Sequence, residues 1–266
     1  EIEQASKSFL YDEKTRAVIF AGEGKHFSAG ADLKATGAGD SRPTRLLQRR
    51  HAGLGARMIR SIFEINQVTI AAVHGAALGG GACIPTACDF RIGSKDCFMG
   101  YPEVNLGINL QWVALPLCVH LIGPARAKRM VMLGNREDAD TLLAWGYLDE
   151  VVERDQLMDK AFEMDEEYAR RPPIPVQMIK QSINVISSAL DQAIMHMDSD
   201  QNTLSALTED RTEGVRAFFE KRDAEFKGEF LPDDDLEEWL APDREGPKGC
   251  LLFLTGGLAR DPIVLS

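Results

Sequence analysis

The 266-residue chain carries 30 Lys and Arg against 41 Asp and Glu, a net charge of −11 at pH 7, with 44% hydrophobic and 27% charged residues. That balance suits a globular protein long enough to bury a sizeable core, and it disfavours nucleic acid as a main partner, because phosphate binding needs a positive surface. No apolar run approaches the roughly 20 residues needed to span a bilayer, and the acidic opening Glu1-Ile2-Glu3-Gln4 is unlike a secretory leader, so no membrane association is expected.

The first strand signal is Ala17-Val18-Ile19-Phe20-Ala21, short, apolar and β-branched, ended by Gly22 and Gly24. Gly30, Gly37 and Gly39 then mark irregular backbone. From Thr44 to Phe63, apolar residues at Leu47, Leu54, Met58, Ile59 and Ile62 recur at helical spacing. Val68 to Val73 reads as a strand buried on both faces and runs through His74-Gly75 into the triplet Gly79-Gly80-Gly81. Small residues follow, and Asp89 to Gly93 is a third strand-like piece. The second half reads as helices: Leu115 to Leu133, Asp138 to Trp145 stopped by Gly146, Gln156 to Arg170, Pro175 to Leu190 after the Pro172-Pro173 break, and Ala193 to Phe226. An α/β core with a helical C-terminal region is therefore expected. No internal repeat has a fixed period. Residues 229–249 form an acidic, proline-broken stretch that predicts extended or mobile chain, and Gly249 to Leu254 is apolar.

The five cysteines (Cys83, Cys88, Cys97, Cys118, Cys250) show no C-x-x-C spacing, and the five histidines no H-E-x-x-H, so no metal is expected. Free thiols in a reducing compartment, the cytoplasm, are the expectation. Gly22-Glu23-Gly24-Lys25 lacks the phosphate-loop frame and Gly79-Gly80-Gly81 lacks dinucleotide spacing, which disfavours ATP and NAD. Two glycine-bearing turns, Phe27 to Lys34 and Ala76 to Gly81, each follow a strand signal. Glycines at strand ends let backbone N–H groups approach a ligand closely, and two such groups aimed at one oxygen would form an oxyanion hole. Either turn alone reads first as a tight turn beside a sheet.

Taken together, Gly24-Lys25-His26-Phe27-Ser28-Ala29-Gly30-Ala31-Asp32-Leu33, Ala71 to Gly81, Pro102-Glu103-Val104-Asn105-Leu106-Gly107 and the stretch from Leu133-Gly134-Asn135 to Gly146-Tyr147-Leu148-Asp149-Glu150-Val151-Val152 resemble the crotonase (enoyl-CoA hydratase/isomerase) superfamily, from about Phe9 to Gly228. The resemblance implies an α/β spiral of ββα repeats followed by a helical region that builds homotrimers or hexamers. It implies an acyl-CoA thioester substrate, with no cofactor beyond the coenzyme A of that substrate. Family members usually begin with a β-hairpin, and this chain resembles them only from the following helix, at roughly Glu1 to Leu10. The expected division is a spiral core over 1–190 without that hairpin, a helical region over 191–228 and an acidic tail over 229–266.

By motif position, the N–H groups of Ala31 and Gly80 would hold the thioester oxygen, with Ala29 and Asp32 beside them at the substrate. Lys34 resembles the family's contact to coenzyme A and reads equally as an exposed lysine at a helix start. Phe218 and Lys221 fall where the family's C-terminal helix reaches coenzyme A; core packing is the other reading of the phenylalanine. Glu103, in the Pro-Glu position, is the expected proton carrier, and a carboxyl beside an apolar pocket has its pKa raised by desolvation.

One departure matters for the reaction. Hydratases of the family carry a second glutamate twenty residues before the Pro-Glu glutamate, and that position is Cys83. A thiol is a weak substitute for a carboxylate that orients and deprotonates water. Double-bond isomerisation needs one shuttling carboxylate, so it is favoured over hydration. The alternatives are hydration with Glu103 alone, thioester hydrolysis or decarboxylation, and a catalytically silent acyl-CoA scaffold. Cys83 reads as a small buried packing residue or, if His74 approached it, a nucleophile. Gln111 stands where other members with other chemistries carry aspartate. Trp112 suits an acyl-pocket wall or the core equally.

Overall fold

The computed structural model describes residues 1–31 and 44–231. Helix α1 (Ile2–Ser8) and a 3-10 turn over Phe9–Tyr11 lead into strand β1 (Ala17–Ala21). Helix α2 (Arg45–Phe63) begins at Thr44, whose hydroxyl accepts from the Leu47 amide at 3.3 Å, an N-cap that satisfies one orphan donor. Strand β2 (Val68–Val73) is buried at every position, the reason its sequence is apolar without alternation. Thr69, its polar exception, gives its amide and hydroxyl to Asp89 at 2.8 and 2.9 Å. Strand β3 (Ala76–Leu78), helix α3 (Gly80–Ala87), strand β4 (Phe90–Ser94) and strand β5 (Phe98–Gly100) follow. A 3-10 helix over Pro102–Leu106 leads to helix α4 (Ala114–Met132), strand β6 (Glu137–Asp138), helix α5 (Ala139–Trp145) and strand β7 (Glu150–Val152). Helices α6 (Leu157–Ala169), α7 (Pro173–Ser187), α8 (Gln192–Met195), α9 (Asp198–Ser205) and α10 (Glu209–Glu220) complete the described chain.

The strands form two sheets. The first is parallel in the order β1-β2-β4-β7; the second runs β3-β5-β6, with β3 and β5 parallel and β6 antiparallel. Ser28 bridges Ala77 in parallel, so the segment after β1 lies beside β3. Each winding lays one strand in the first sheet and the next in the second before a helix returns: β2, β3 and α3, then β4, β5 and the Pro102–Leu106 turn. This is the ββα spiral of the crotonase fold. One core packs Ile59 and Ile62 of α2 with Ala71 and Val73 of β2, and a second packs Val68, Ile70 and Ile92 against Leu157 and Ala161 of α6. Both faces of the first sheet are thereby covered, as a parallel sheet requires.

Buried Arg91 on β4 ties the layers together. Its guanidinium donates to the carbonyls of Tyr147 (2.7 Å), Cys88 (2.6 Å) and Asp89 (3.1 Å), holding the exit of α3 against the approach to β7.

Two expectations change. Ala193 to Phe226 is three helices, because Thr208 is extended and bridges Phe230, which draws that backbone out of the helix. Lys221 then ends α10 in the left-handed region, and the Asp210 carboxylate folds the chain back by accepting from the amides of Lys227 (2.7 Å) and Gly228 (3.0 Å). The helix expected over Leu115 to Leu133 is two segments broken at Gly123 (φ +77°), next to Pro124, which has no N–H to continue the ladder. The short elements β3, α3, β5, β6 and β7 had no clear signal. Most of the acidic tail, with Cys250 and the apolar stretch, lies outside the described residues.

Candidate active site

The two glycine turns meet. Gly79 ends β3 at φ +55° and ψ −127°, a conformation open essentially to glycine alone, and its N–H donates to Gly100 O at 2.9 Å. Gly80 then opens α3, whose own ladder leaves the N–H of its first residue unpaired. Gly30 of the other turn has φ +89°; a Cβ there would fall 2.6 Å from Leu78 O and 3.6 Å from Gly80 N. Only glycine permits so close an approach of the two backbones. A cavity of about 360 Å³ opens beside them, lined by Ala29, Gly30, Ala31, Gly79, Gly80, Cys83, Glu103, Gln111, Trp112 and Phe218, among others.

Glu103 reaches this cavity from the Pro102–Leu106 helix. The preceding Tyr101 is fully buried, and its hydroxyl pairs with Thr86 of α3 and with Tyr147, so the helix bearing the acid is locked to the helix bearing Gly80. Glu103 Oε1 lies 3.1 Å from where a Gly79 Cβ would be, and buried Oε2 has no hydrogen-bond partner. Burial with no compensating charge pushes the Glu103 carboxyl up to about 7, where it can both accept and return a proton near neutral pH.

Cys83 sits one turn along α3, 1% exposed, its thiol donating to Gly79 O at 3.4 Å. Burial first, and the Glu103 charge second, hold its pKa well above the usual thiol range. It is a neutral packing group on the cavity wall. His74 does not serve it: the ring Nε2 pairs with Gly24 O at 3.2 Å, and burial lowers its pKa.

Trp112 turns out to be both wall and core. Its indole packs where a Cβ on either Gly55 of α2 or Gly80 would fall 2.1 Å from ring atoms. Trp112 and Val113 both have φ +67°. The buried carboxylate of Asp198, at the start of α9, accepts from the amides of Val113 (3.0 Å) and Trp112. The Gln111 amide beside them has a buried Oε1 without a partner.

Phe218 comes to the cavity because α10 packs closely on the Pro102–Leu106 helix: a Cβ on Gly214 would meet Asn105 O and Leu106 at 2.8 Å. Lys221 is an exposed cap of α10 and is not among the residues lining the cavity. Asp32 and Lys34 lie outside the described residues. Asn105, Arg136, Asn202 and Asp198 were not singled out from sequence; a lone polar residue in a turn or helix start carries no signal of which cavity it meets. Among the described residues, no cluster of potential metal ligands is present and no helix is long and apolar enough to cross a membrane.

A ββα spiral holding a desolvated acid beside paired glycine turns defines the class. A family model for enoyl-CoA hydratase/isomerase matches residues 1–229, and the chain belongs to that family of enzymes, within the crotonase superfamily. It is similar to the carnitinyl-CoA dehydratase of Salmonella enteritidis, 33% identical over 230 residues that cover 85% of this chain and 86% of the relative. It is also similar to the solved carnitinyl-CoA hydratase from Mycobacterium avium, with TM-score 0.74 and 29% identity over 85% of this chain and 86% of that one. The solved enoyl-CoA hydratase from Bacillus anthracis aligns with TM-score 0.66 and 32% identity over 86% of this chain and 87% of that one.

Proposed function

We propose that the protein moves a double bond in an acyl-CoA thioester, with Glu103 as the single proton shuttle. The thioester oxygen accepts hydrogen bonds from the N–H groups of Ala31 and Gly80. Glu103 removes a proton from C2 of a 3-enoyl-CoA; the electron pair moves toward the carbonyl, giving a dienolate whose oxygen the two amides stabilise. The same carboxyl returns the proton at C4, and the product is the 2-enoyl-CoA. No cofactor is needed beyond the coenzyme A that the substrate carries. Ala29, Asp32 and Cys83 would border the acyl and thioester portion, Trp112 the acyl chain, and Lys34, Phe218 and Lys221 the coenzyme A.

The observation that carries this reading is the Glu103 carboxyl beside the Gly79–Gly80 turn, whose buried Oε2 has no hydrogen-bond partner; no other carboxylate is among the described residues lining the cavity. General acid–base catalysis contributes about 10²–10⁴-fold, so Glu103→Gln is expected to bind CoA esters normally and to lose at least about 100-fold in turnover of 3-hexenoyl-CoA. Full activity in that variant would overturn the role. Dehydration of a 3-hydroxyacyl-CoA is the second reading, favoured by the likeness to carnitinyl-CoA dehydratase; there the Glu103 carboxylate would take the C2 proton and return it to the departing hydroxyl. Supplying 3-enoyl- and 3-hydroxyacyl-CoA in parallel separates them. In the isomerase reading, Cys83→Glu gains crotonyl-CoA hydration that the wild type lacks; strong hydration by the wild type would favour the second reading. Self-association through the C-terminal helices belongs to the same proposal.

A further inference from the structure

Two aromatic rings, Trp112 and Phe218, line the cavity, and the first is held by a residue from a distant helix. Trp112 and Val113 occupy the left-handed region at φ +67°, an outlier for a bulky and for a β-branched residue. Such backbone persists only where its surroundings over-determine it. Asp198 supplies the restraint: its carboxylate is 7% exposed, accepts from the Val113 amide at 3.0 Å and from the Trp112 amide, and forms no ion pair among the described residues. The indole then lies in space that only two glycines leave open, Gly55 on one edge and Gly80 on the other.

We propose that Asp198 is a positioning residue which, through Trp112, closes the acyl end of the cavity and restricts the enzyme to short-chain acyl-CoA thioesters. This rests on the reading of the cavity as an acyl-CoA site. The indole stands directly beside Gly80, whose amide would bind the thioester oxygen, so a long chain meets the ring within a few carbons of the carbonyl. The ring cannot swing aside while the Asp198 carboxylate holds both flanking amides and Gly55 receives its far edge. Asp198 thereby couples the C-terminal helices to the site without touching substrate.

The test is calorimetric binding of saturated butyryl-CoA and decanoyl-CoA, which needs no turnover. Wild type is expected to bind butyryl-CoA at least tenfold more tightly than decanoyl-CoA. Asp198→Ala and Trp112→Ala are each expected to reduce or reverse that ratio by tenfold or more, with the double variant no different from Trp112→Ala. Asp198→Asn, which keeps one acceptor oxygen, should stay closer to wild type. A general loss of structure would weaken both ligands alike and leave the ratio in place. Equal wild-type affinity for the two esters, or a ratio unchanged in Trp112→Ala, overturns the inference alone. If Asp198→Ala does not fold, Asp198→Leu, of similar size and with no acceptor, takes its place, and a ratio unchanged in whichever variant folds overturns the role of Asp198. Failure of the wild type to bind any CoA ester overturns the functional reading with it.

Discussion

Glu103 is costly to hold ionised. Its carboxyl is buried without a cation beside it, and its pKa of about 7 follows from that desolvation. Proton abstraction needs the ionised form, so kcat/KM should rise with pH and level off above about 7; a profile flat from pH 5 to 9 would contradict Glu103 as base. Stability has the opposite sign. The folded state binds the proton more tightly than the unfolded chain, whose carboxyl titrates near 4.5. Protonated Glu103 therefore favours folding below that value, and the advantage is lost as pH rises through about 7. At about 1.36 kcal/mol per pH unit the full effect is roughly 3 kcal/mol. Glu103→Gln removes it, so the variant is expected to gain melting temperature over wild type at pH 8 but not at pH 4.5. Cys83 adds nothing in this range, since its thiol stays neutral.

Among the elements, α2 and α3 are fitted to each other through Trp112. Gly55 stands inside α2, where alanine would ordinarily gain about 1 kcal/mol in helix propensity. Here its Cβ would fall 2.1–2.2 Å from Cε2, Cδ2 and Nε1 of a ring braced on its other edge by Gly80. Overpacking costs about 1–3 kcal/mol, which outweighs the propensity gain. Gly55→Ala is therefore expected to lower the melting temperature, whereas Gly53→Ala, with only the flexible end of Arg57 nearby at 3.7 Å, should be neutral or stabilising. Helix α10 carries the other lesson at this scale. Its composition continues past Glu220, but the Glu213 and Asp210 carboxylates accept amides of Glu225, Lys227 and Gly228 and turn the chain away.

For the whole molecule, α7 and the residues after it leave a broad apolar face uncovered, with Ile174 70%, Ile186 77% and Leu190 83% exposed. Patches of this kind on one chain mark contact surfaces. We propose that a second copy of the chain covers it, in the trimeric arrangement the family resemblance implies. Ile186→Glu combined with Leu190→Glu should then lower the sedimentation coefficient toward that of a monomer, and an unchanged, monomeric sedimentation of both proteins would refute the proposal. Buried Lys180 meanwhile anchors α7 inward, its ammonium pairing with Asp89 at 2.6 Å and Gln67 O at 2.8 Å, so the same helix can present its other face outward.

Strands β1 and β2, helix α2, and α5 between Asp138 and Gly146 were legible from sequence, because periodicity and glycine stops act within a few residues. The place of Glu103 at the cavity was legible for another reason: a Pro-Glu turn at fixed spacing from two glycine motifs resembles a known family's site. The tertiary structure alone decided that Gly30 comes to rest against Leu78 and Gly80, that Trp112 lodges between Gly55 and Gly80, and that Asp198 holds it there. These contacts join residues 32 to 86 positions apart, where no local pattern reaches and only the winding of the spiral brings the partners together.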